Sequence, residues 1–298
     1  MTKAIDLFAG WGGFTLGAEQ AGVDVVWAAN HWKLAVEAHA LNHPGTEHVC
    51  QDLRQADWTA LPEYDLLLAS PACQGHSQAA QPKRRGYHDA LRATAWAVVD
   101  CAEVTRPETI LVENVPDFLR WQLYPVWEQA LQVLGYEVHA EVLRSSHYGV
   151  PQRRDRVFIT ASSVGARLEP RVAQEEPAFG PCIDWNEGRW RPVRDASDNV
   201  RARIRKGRAN HGRRFLSQHV TGHPGVGLDE PIRTITTKDQ WIVVRGSEYR
   251  PLTIREYARG MGFPEDYAWP DATKKDTIKG IGNAVCPPQA AELLREVI

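Results

Sequence analysis

The 298-residue chain is 43% hydrophobic with a formal net charge of −2, enough apolar material for one large core or for one core plus a small second domain. That charge excludes a polycation, so any nucleic-acid face must come from local segregation of charge. The five cysteines, Cys50, Cys73, Cys101, Cys182 and Cys286, are widely spaced with no CxxC, which speaks against a disulfide framework or a zinc site; no apolar run approaches a membrane span.

The chain enters a strand pattern at once, with no signal-peptide character. AIDLF (4–8) reads as a buried strand, and DLFAGWGGF (6–14) carries it through a glycine-rich turn into a helix over 13–21. Such a turn lets a ligand approach the backbone and offers the free N–H groups of a helix start, although no Walker lysine follows to cradle phosphates. DVVWAA (24–29) is a second strand and WKLAVEAHALN (32–42) a helix. Strands follow at 47–50, 64–70, 108–114, 137–143 and 156–162, with helices over 90–104 and 123–135. This alternation predicts an α/β fold with a doubly wound, mostly parallel sheet, in which ligands bind at the carboxyl ends of the strands.

From 163 to 230 the rhythm breaks into a stretch rich in Arg, Gly, Pro and Asn, with few periodic elements. Between Arg189 and Arg214 ten basic residues face only Asp195 and Asp198. Arginine dominates, and its guanidinium fork suits phosphates and guanine edges, so this is the candidate nucleic-acid lobe. Regular patterns return at IRTITT (232–237), WIVV (241–244), a helix over 253–262 and a final helix over 288–298.

The chemistry gathers at the strand ends. The fourth strand delivers SPACQ, with Cys73, and the fifth delivers Glu113, forty residues on, at the same sheet edge. A carboxyl group at the end of an apolar strand has its pKa raised and can donate a proton, while a free thiol needs local help to become thiolate. Arg156, at the head of RVFIT, points toward the same cleft. Thiol, acid and guanidinium together suit covalent attack on an electron-poor ring. Asp52, after the third strand, suits an adenine amino group or, equally, the capping of a turn.

With these stretches in hand, the chain resembles the C5-cytosine DNA methyltransferases. The matching segments are DLFAGWGGF, SPACQ, ENV (113–115), QRRDR (152–156), TITT (234–237), REYARGMGFP (255–264) and GNAV (282–285), in the family's order across nearly the whole chain. The resemblance implies a Rossmann-like class I methyltransferase fold with a small irregular second domain: a catalytic domain over 1–162, a target recognition domain over 163–245 and a return to the catalytic domain over 246–298. It implies S-adenosyl-L-methionine as cofactor, no metal, and double-stranded DNA as partner. The target cytosine is flipped out of the duplex, because its reacting carbons are not attackable while stacked.

By the same resemblance Cys73 adds to C6, Glu113 protonates N3 and Arg156 grips O2, with Gln74 and Arg154 as further catalytic candidates. Asp6, Phe8, Ala9, Gly10, Gly12, Gly13, His31, Trp32, Asp52, Leu53, Asn283 and Ala284 are the cofactor-binding candidates. Ser77, Lys83, Arg84, Arg85, Arg189, Arg201, Arg203, Arg205, Arg208, Thr236 and Thr237 are the DNA-binding ones. The loop QPKRRGYH (81–88) would close over DNA. The short recognition segment predicts a target of about two to four base pairs, each good bidentate contact discriminating by roughly 1–3 kcal/mol. A monomer in the cytoplasm of a prokaryotic or phage-infected cell is expected, serving restriction–modification or phage DNA modification.

Two positions depart from the family pattern. Ala72 stands where a proline usually precedes the cysteine, with Pro71 one place earlier. His31 stands where a ribose-binding glutamate is usual, which leaves open a donor with an added carboxylate, such as carboxy-S-adenosylmethionine. Two further readings stay open: a tRNA cytosine-5 methyltransferase of the same fold, and a DNA-binding protein without catalysis.

Overall fold

The computed structural model describes residues 1–72 and 93–298. Its main sheet is built from β1 (Lys3–Leu7), β2 (Asp24–Asn30), β3 (Glu47–Cys50), β4 (Leu66–Ala69), β5 (Thr109–Asn114), β6 (Glu137–Arg144) and β8 (Asp155–Ser162), with the short β7 (Gln152–Arg153) lying between the last two in sequence. The strand order is β3-β2-β1-β4-β5-β8-β6. The first five strands pair in parallel, while β8 runs antiparallel to both β5 and β6. The reversal has a simple cause: only residues 145–154 join β6 to β8, and a parallel crossover needs a dozen or more residues.

The central strands are apolar on both faces, as a sheet covered on both sides requires. In β4, Leu67 and Ala69 join one core with Ile5, Leu7, Ile110 and Val112, under Val98, Phe118 and Trp127. Leu66 and Leu68 join another with Ala4, Phe14, Ala18 and Leu111. Leu293, Leu294 and Val297 of the final helix, Pro287–Val297, complete that second core, so the end of the chain packs against its beginning. Gly17, on the first helix (Gly13–Gln20), makes the approach possible: a Cβ there would lie 2.5 Å from that of Ala290.

The middle of the chain is more regular than its composition suggests. β9 (Arg191–Pro192), β10 (Arg214–Gln218), β12 (Trp241–Arg245) and β13 (Glu248–Pro251) form an antiparallel sheet in the order β10-β12-β13-β9. β11 (Ile232–Arg233) instead pairs with β7. A 14-residue helix, Asp198–His211, covers the small sheet. It buries Ile204 against Phe215, Ile242 and Val244, and Gly207 gives the Phe215 ring its place, since a Cβ there would come within 2.2 Å of the ring. A further helix, Lys274–Asn283, also escapes the sequence reading. By contrast, the helix Ile254–Met261 forms where expected, closed by a capping box between Thr253 and Glu256. Glu256 is also held in a fully buried bidentate pair by Arg250, at 2.6 and 2.7 Å.

Candidate active site

The carboxyl ends of β1 to β5 line one edge of the sheet, and the segments following them are tied together. Ala9 N–H donates to the Ala29 carbonyl, Gln51 N–H to Asn30 and Ser70 N–H to Leu7, at 3.1 Å each. Phe8 leaves β1 with a φ of 62°, a left-handed conformation that costs a bulky residue strain of order 1–3 kcal/mol. Gly10 and Gly12 continue the turn at φ 58° and 77°. Gly12 and Gly13 are also required by packing. A Cβ at Gly12 would meet the Tyr267 hydroxyl at 2.5 Å, and one at Gly13 the Val285 carbonyl at 2.1 Å.

The first helix opens on Gly12, which has no side chain to cap it. Asp6, on the strand below, accepts from the Thr15 hydroxyl at 2.8 Å and leaves the helix start uncapped. Asp6 is fully buried, Oδ1 has no hydrogen-bond partner, and burial pushes its pKa up to about 7.

At the next strand ends, His31 is exposed and Trp32 N–H donates to Asn30 Oδ1 at 2.9 Å. The Lys279 ammonium lies 4.3 Å from the centre of the Trp32 ring. Asp52 caps the turn containing Leu53, accepting from Arg54 N–H and gripping its guanidinium. That grip, with a lesser contribution from His31, holds its carboxyl down to about 2. Asn283 is exposed at the end of its helix and Ala284 is buried beside it. An uncapped helix start, a left-handed Phe8, and acid and base groups at the neighbouring strand ends form a cradle suited to a nucleoside with an anionic tail. The residues therefore fit an S-adenosylmethionine-like cofactor.

The end that carries the candidate catalytic residues is built on β4, β5 and β8. Glu113 is buried at 6% exposure, and desolvation raises its pKa against the pull of Arg156 and Arg154. Arg156 Nε stands 3.0 Å from Glu113 Oε1, an ion pair off the hydrogen-bonding line. Because β8 runs antiparallel, its head lies beside the end of β5, with Asn114 opposite Val157. Cys73, Gln74, Ser77, Lys83, Arg84 and Arg85 lie outside the described residues, as does the loop 81–88. The turn leading to Cys73 is nonetheless anchored: Asn114 Nδ2 donates to the Pro71 carbonyl at 3.1 Å, and Ala72 N–H donates to Thr94 Oγ1 at 3.2 Å. Sequence reasoning missed Asn114, although it follows directly on the acid.

Arg154 turns inward. Its guanidinium donates to the carbonyls of Ile235, Gly282 and Ala284 at 3.0–3.2 Å and is almost wholly buried. The latch brings Thr236 and Thr237 beside the helix end at Asn283, where Gly282 packs on the Thr236 carbonyl.

The basic segment divides by partner. Arg201 donates to the Arg194 carbonyl and pairs with Asp198, and Arg208 bonds the Gly246 carbonyl. Arg189 and Arg205 are exposed. Arg203 Nε is buried without a hydrogen-bond partner, and burial lowers its pKa. Nearby, Arg214 and Arg245 stack on Trp185 and Trp190, whose rings lie parallel.

Comparison with known proteins agrees with this arrangement. The family model for C-5 cytosine-specific DNA methylases matches residues 2–180 and 185–298. The Type II methyltransferase M.NlaX of Neisseria lactamica is 30% identical over 307 residues, covering 97% of this chain and 93% of that protein. The Type II methyltransferase M.HhaI of Haemophilus parahaemolyticus is 31% identical over 301 residues, covering 95% and 90%. Among solved structures, S. pombe Dnmt2 methyltransferase superposes with a TM-score of 0.72 at 19% identity over 99% of this chain and 97% of that one. Entamoeba histolytica methyltransferase EhMeth gives 0.73 at 17% over 99% and 97%; at these identities the likeness is one of fold.

Proposed function

The chain belongs to the C-5 cytosine-specific DNA methylase family, and from that premise we propose a DNA (cytosine-5-)-methyltransferase acting through Cys73, Glu113 and Arg156 on a flipped cytosine. The observation that supports it best is the Glu113–Arg156 pair, buried beside a turn that Asn114 fastens two residues before Cys73. S-adenosylmethionine, when bound, supplies an electrophilic methyl group. The Cys73 thiolate forms a bond to C6 while Glu113 gives its proton to N3 and Arg156 holds O2. The electron pair reaches C5, which takes the methyl group. A base then removes the C5 proton, elimination returns the thiolate, and N3 gives its proton back to Glu113, which restores the aromatic ring. Raising the Glu113 pKa by burial keeps the proton available for this step.

The turn after β1, His31, Trp32, Asp52, Leu53, Asn283 and Ala284 are the residues proposed to hold the donor. Ordinary S-adenosylmethionine is the donor of this reading, because Asp52 leaves a carboxylate close to His31. We assign 1–162 and 246–298 to catalysis and 163–245 to DNA reading, with the small sheet running on through Pro251. Within that lobe Arg189, Arg203 and Arg205 are the foremost candidates to meet DNA, since Arg201 and Arg208 already have partners in the protein. No described helix is long and apolar enough to cross a membrane.

Mass spectrometry of nucleosides from duplex DNA incubated with protein and S-adenosylmethionine tests the reading. 5-Methylcytosine is expected, together with a stable adduct on 5-fluorocytosine DNA that Cys73→Ala abolishes. Absence of both would overturn it, and methylation confined to tRNA would replace the substrate.

A further inference from the structure

Asp6 is the first member of a hydrogen-bonded chain that leads from beneath the start of the first helix to the surface. Thr15 Oγ1 donates to Asp6 Oδ2 at 2.8 Å. His39 Nε2 lies 3.0 Å from Thr15 Oγ1, and His39 Nδ1 lies 2.8 Å from Nε2 of the half-exposed His48 on β3. The directions follow from the inventory of protons. With Asp6 ionised, the single hydroxyl proton of Thr15 goes to it and His39 donates from Nε2. Burial and the neighbouring His43 and His48 keep His39 neutral, so its Nδ1 accepts from His48. Every donor therefore points inward, toward a carboxylate whose other oxygen is buried and unpartnered.

The described surroundings of Asp6 contain no countercharge. Its strand neighbours are Ala28 and Leu68. The first helix contributes Thr15 and Glu19, the helix Lys33–Asn42 contributes His39 and His43, and the C-terminal segment contributes Tyr267. Glu19 and His43 pair with each other at 2.8 Å, and Tyr267 donates to the Trp11 carbonyl at 2.5 Å. Among the described residues no cation is paired with Asp6. A positively charged ligand at the adjoining loop would supply the missing charge.

We propose that Asp6 is a positioning residue whose protonation follows the charge of the bound cofactor, ionised beside a sulfonium and protonated beside a thioether, with Thr15, His39 and His48 as its proton path. This rests on the donor reading above. The balance is closed. Methyl transfer leaves a neutral thioether, and the C5 hydrogen departs as a proton. One proton then enters at His48 Nδ1. His48 passes its Nε2 proton to His39 Nδ1, His39 passes its own to Thr15, and Thr15 gives its hydroxyl proton to Asp6 Oδ2. The carboxyl is neutral after turnover and loses the proton by the reverse path when the next donor binds. A carboxylate that meets a charged substrate and a neutral product in this way favours exchange of the one for the other.

The sign is fixed by linkage. A carboxyl that titrates near neutrality in the free protein and is held ionised by a sulfonium makes S-adenosylmethionine binding release a proton below the free midpoint, so its affinity rises with pH up to that midpoint, by at most about tenfold per pH unit. S-adenosylhomocysteine binding should release none through Asp6. The test follows the carboxyl resonances of 13C-aspartate-labelled protein between pH 5 and 8.5, free and with each ligand, beside calorimetry in two buffers of different ionisation enthalpy. One resonance should titrate near neutral pH in the free protein. Its midpoint should fall by about one unit or more with S-adenosylmethionine, as an opposite charge nearby demands, and stay in place with S-adenosylhomocysteine.

Thr15→Val keeps the carboxyl but removes a hydroxyl bond that favours its ionised form, so it should raise the midpoint and identify the resonance without altering Asp6. Asp6→Asn should remove the resonance and the difference in proton release, leaving only the ligands' own titrations. A free-protein midpoint below about 5, or equal midpoints with the two ligands, would overturn the proposal. Failure of either ligand to bind at any pH would overturn the donor reading and this proposal with it, and is recognised by unchanged spectra and no heat.

Discussion

Arg154→Gln separates two roles for the second arginine of QRRDR. In the structure its guanidinium satisfies three backbone carbonyls on two segments, Ile235 on one side and Gly282 and Ala284 on the other, at 2% exposure. Glutamine is shorter and its amide carries two N–H donors, so it can serve at most two of the three. The carbonyls left buried without a donor cost about 1–3 kcal/mol each, partly offset because no charge is then held out of water. A net loss of about 3–5 kcal/mol is expected, the range found when one partner of a buried charged contact is removed. For a chain of this size that corresponds to a fall in Tm of about 10 °C. Thermal unfolding followed by circular dichroism reads it directly. Methylation at a temperature where the variant is folded should also fall, because the latch sets the 235–237 segment against the end of the 274–283 helix. If Arg154 instead gripped the base, Tm would stay within about 1 °C and only turnover would drop, and that pattern would refute the latch.

Glu113→Gln should cut turnover about 10²- to 10³-fold while duplex binding, followed by fluorescence anisotropy, changes less than twofold; equal loss of binding would make Glu113 structural. Replacing Arg203 and Arg205 with alanine should lower the slope of log affinity against log salt by about one for each phosphate no longer neutralised, whereas Arg201→Ala should leave it nearly unchanged. Gly207→Ala drives a methyl group into the Phe215 ring and should destabilise the protein by about 1–3 kcal/mol in urea unfolding; a neutral result would mean that the helix lifts freely from its sheet.

Five of the seven main strands were legible as short apolar runs that the fold buries, whereas β3 and β6, at the two edges of the sheet, are mostly half-exposed and were legible from their place in the alternation. LLLA in β4 and TILVEN in β5 are buried throughout and bounded by turn residues. The direction of β8 was not legible from its own residues; it follows from the short link after β6. The helix Asp198–His211 was hidden for a different reason. It buries only Ile204 and Gly207, so its apolar stripe is two residues wide and arginine dominates the pattern. The signals present were Ser197 before it and Gly212 after it, at positions where helices start and stop. In the site, Glu113 and Arg156 meet as the residue order implied. The four charges from Arg153 to Arg156 could not be sorted from sequence: Arg153 pairs with Glu176 at the surface, Arg154 turns inward, Asp155 meets Arg144, and only Arg156 reaches the acid.

Those contacts give the candidate site a definite mechanical order. Asn114 binds the strand end that carries Glu113 to the turn before Cys73, and Arg156 binds the same strand end to β8. Two residues back along the chain, Arg154 fastens the segment next to β8 to the 235 loop and to the end of the 274–283 helix. The acid, the approach to the thiol, the threonine pair and Asn283 therefore form one connected unit whose members come from distant parts of the sequence. Such a unit is fixed when the chain folds, so the geometry at Glu113 does not have to be assembled when DNA arrives. In the proposed reaction, the work left to binding is the delivery of the base to the existing Glu113–Arg156 pair. A base presenting an oxygen to Arg156 and a basic ring nitrogen to Glu113 would satisfy both partners at once. Cytosine offers this pair of groups. Thymine carries an N–H at the corresponding ring position and would confront a protonated Glu113 with a second donor, so the proposed proton donation favours cytosine over the other pyrimidine.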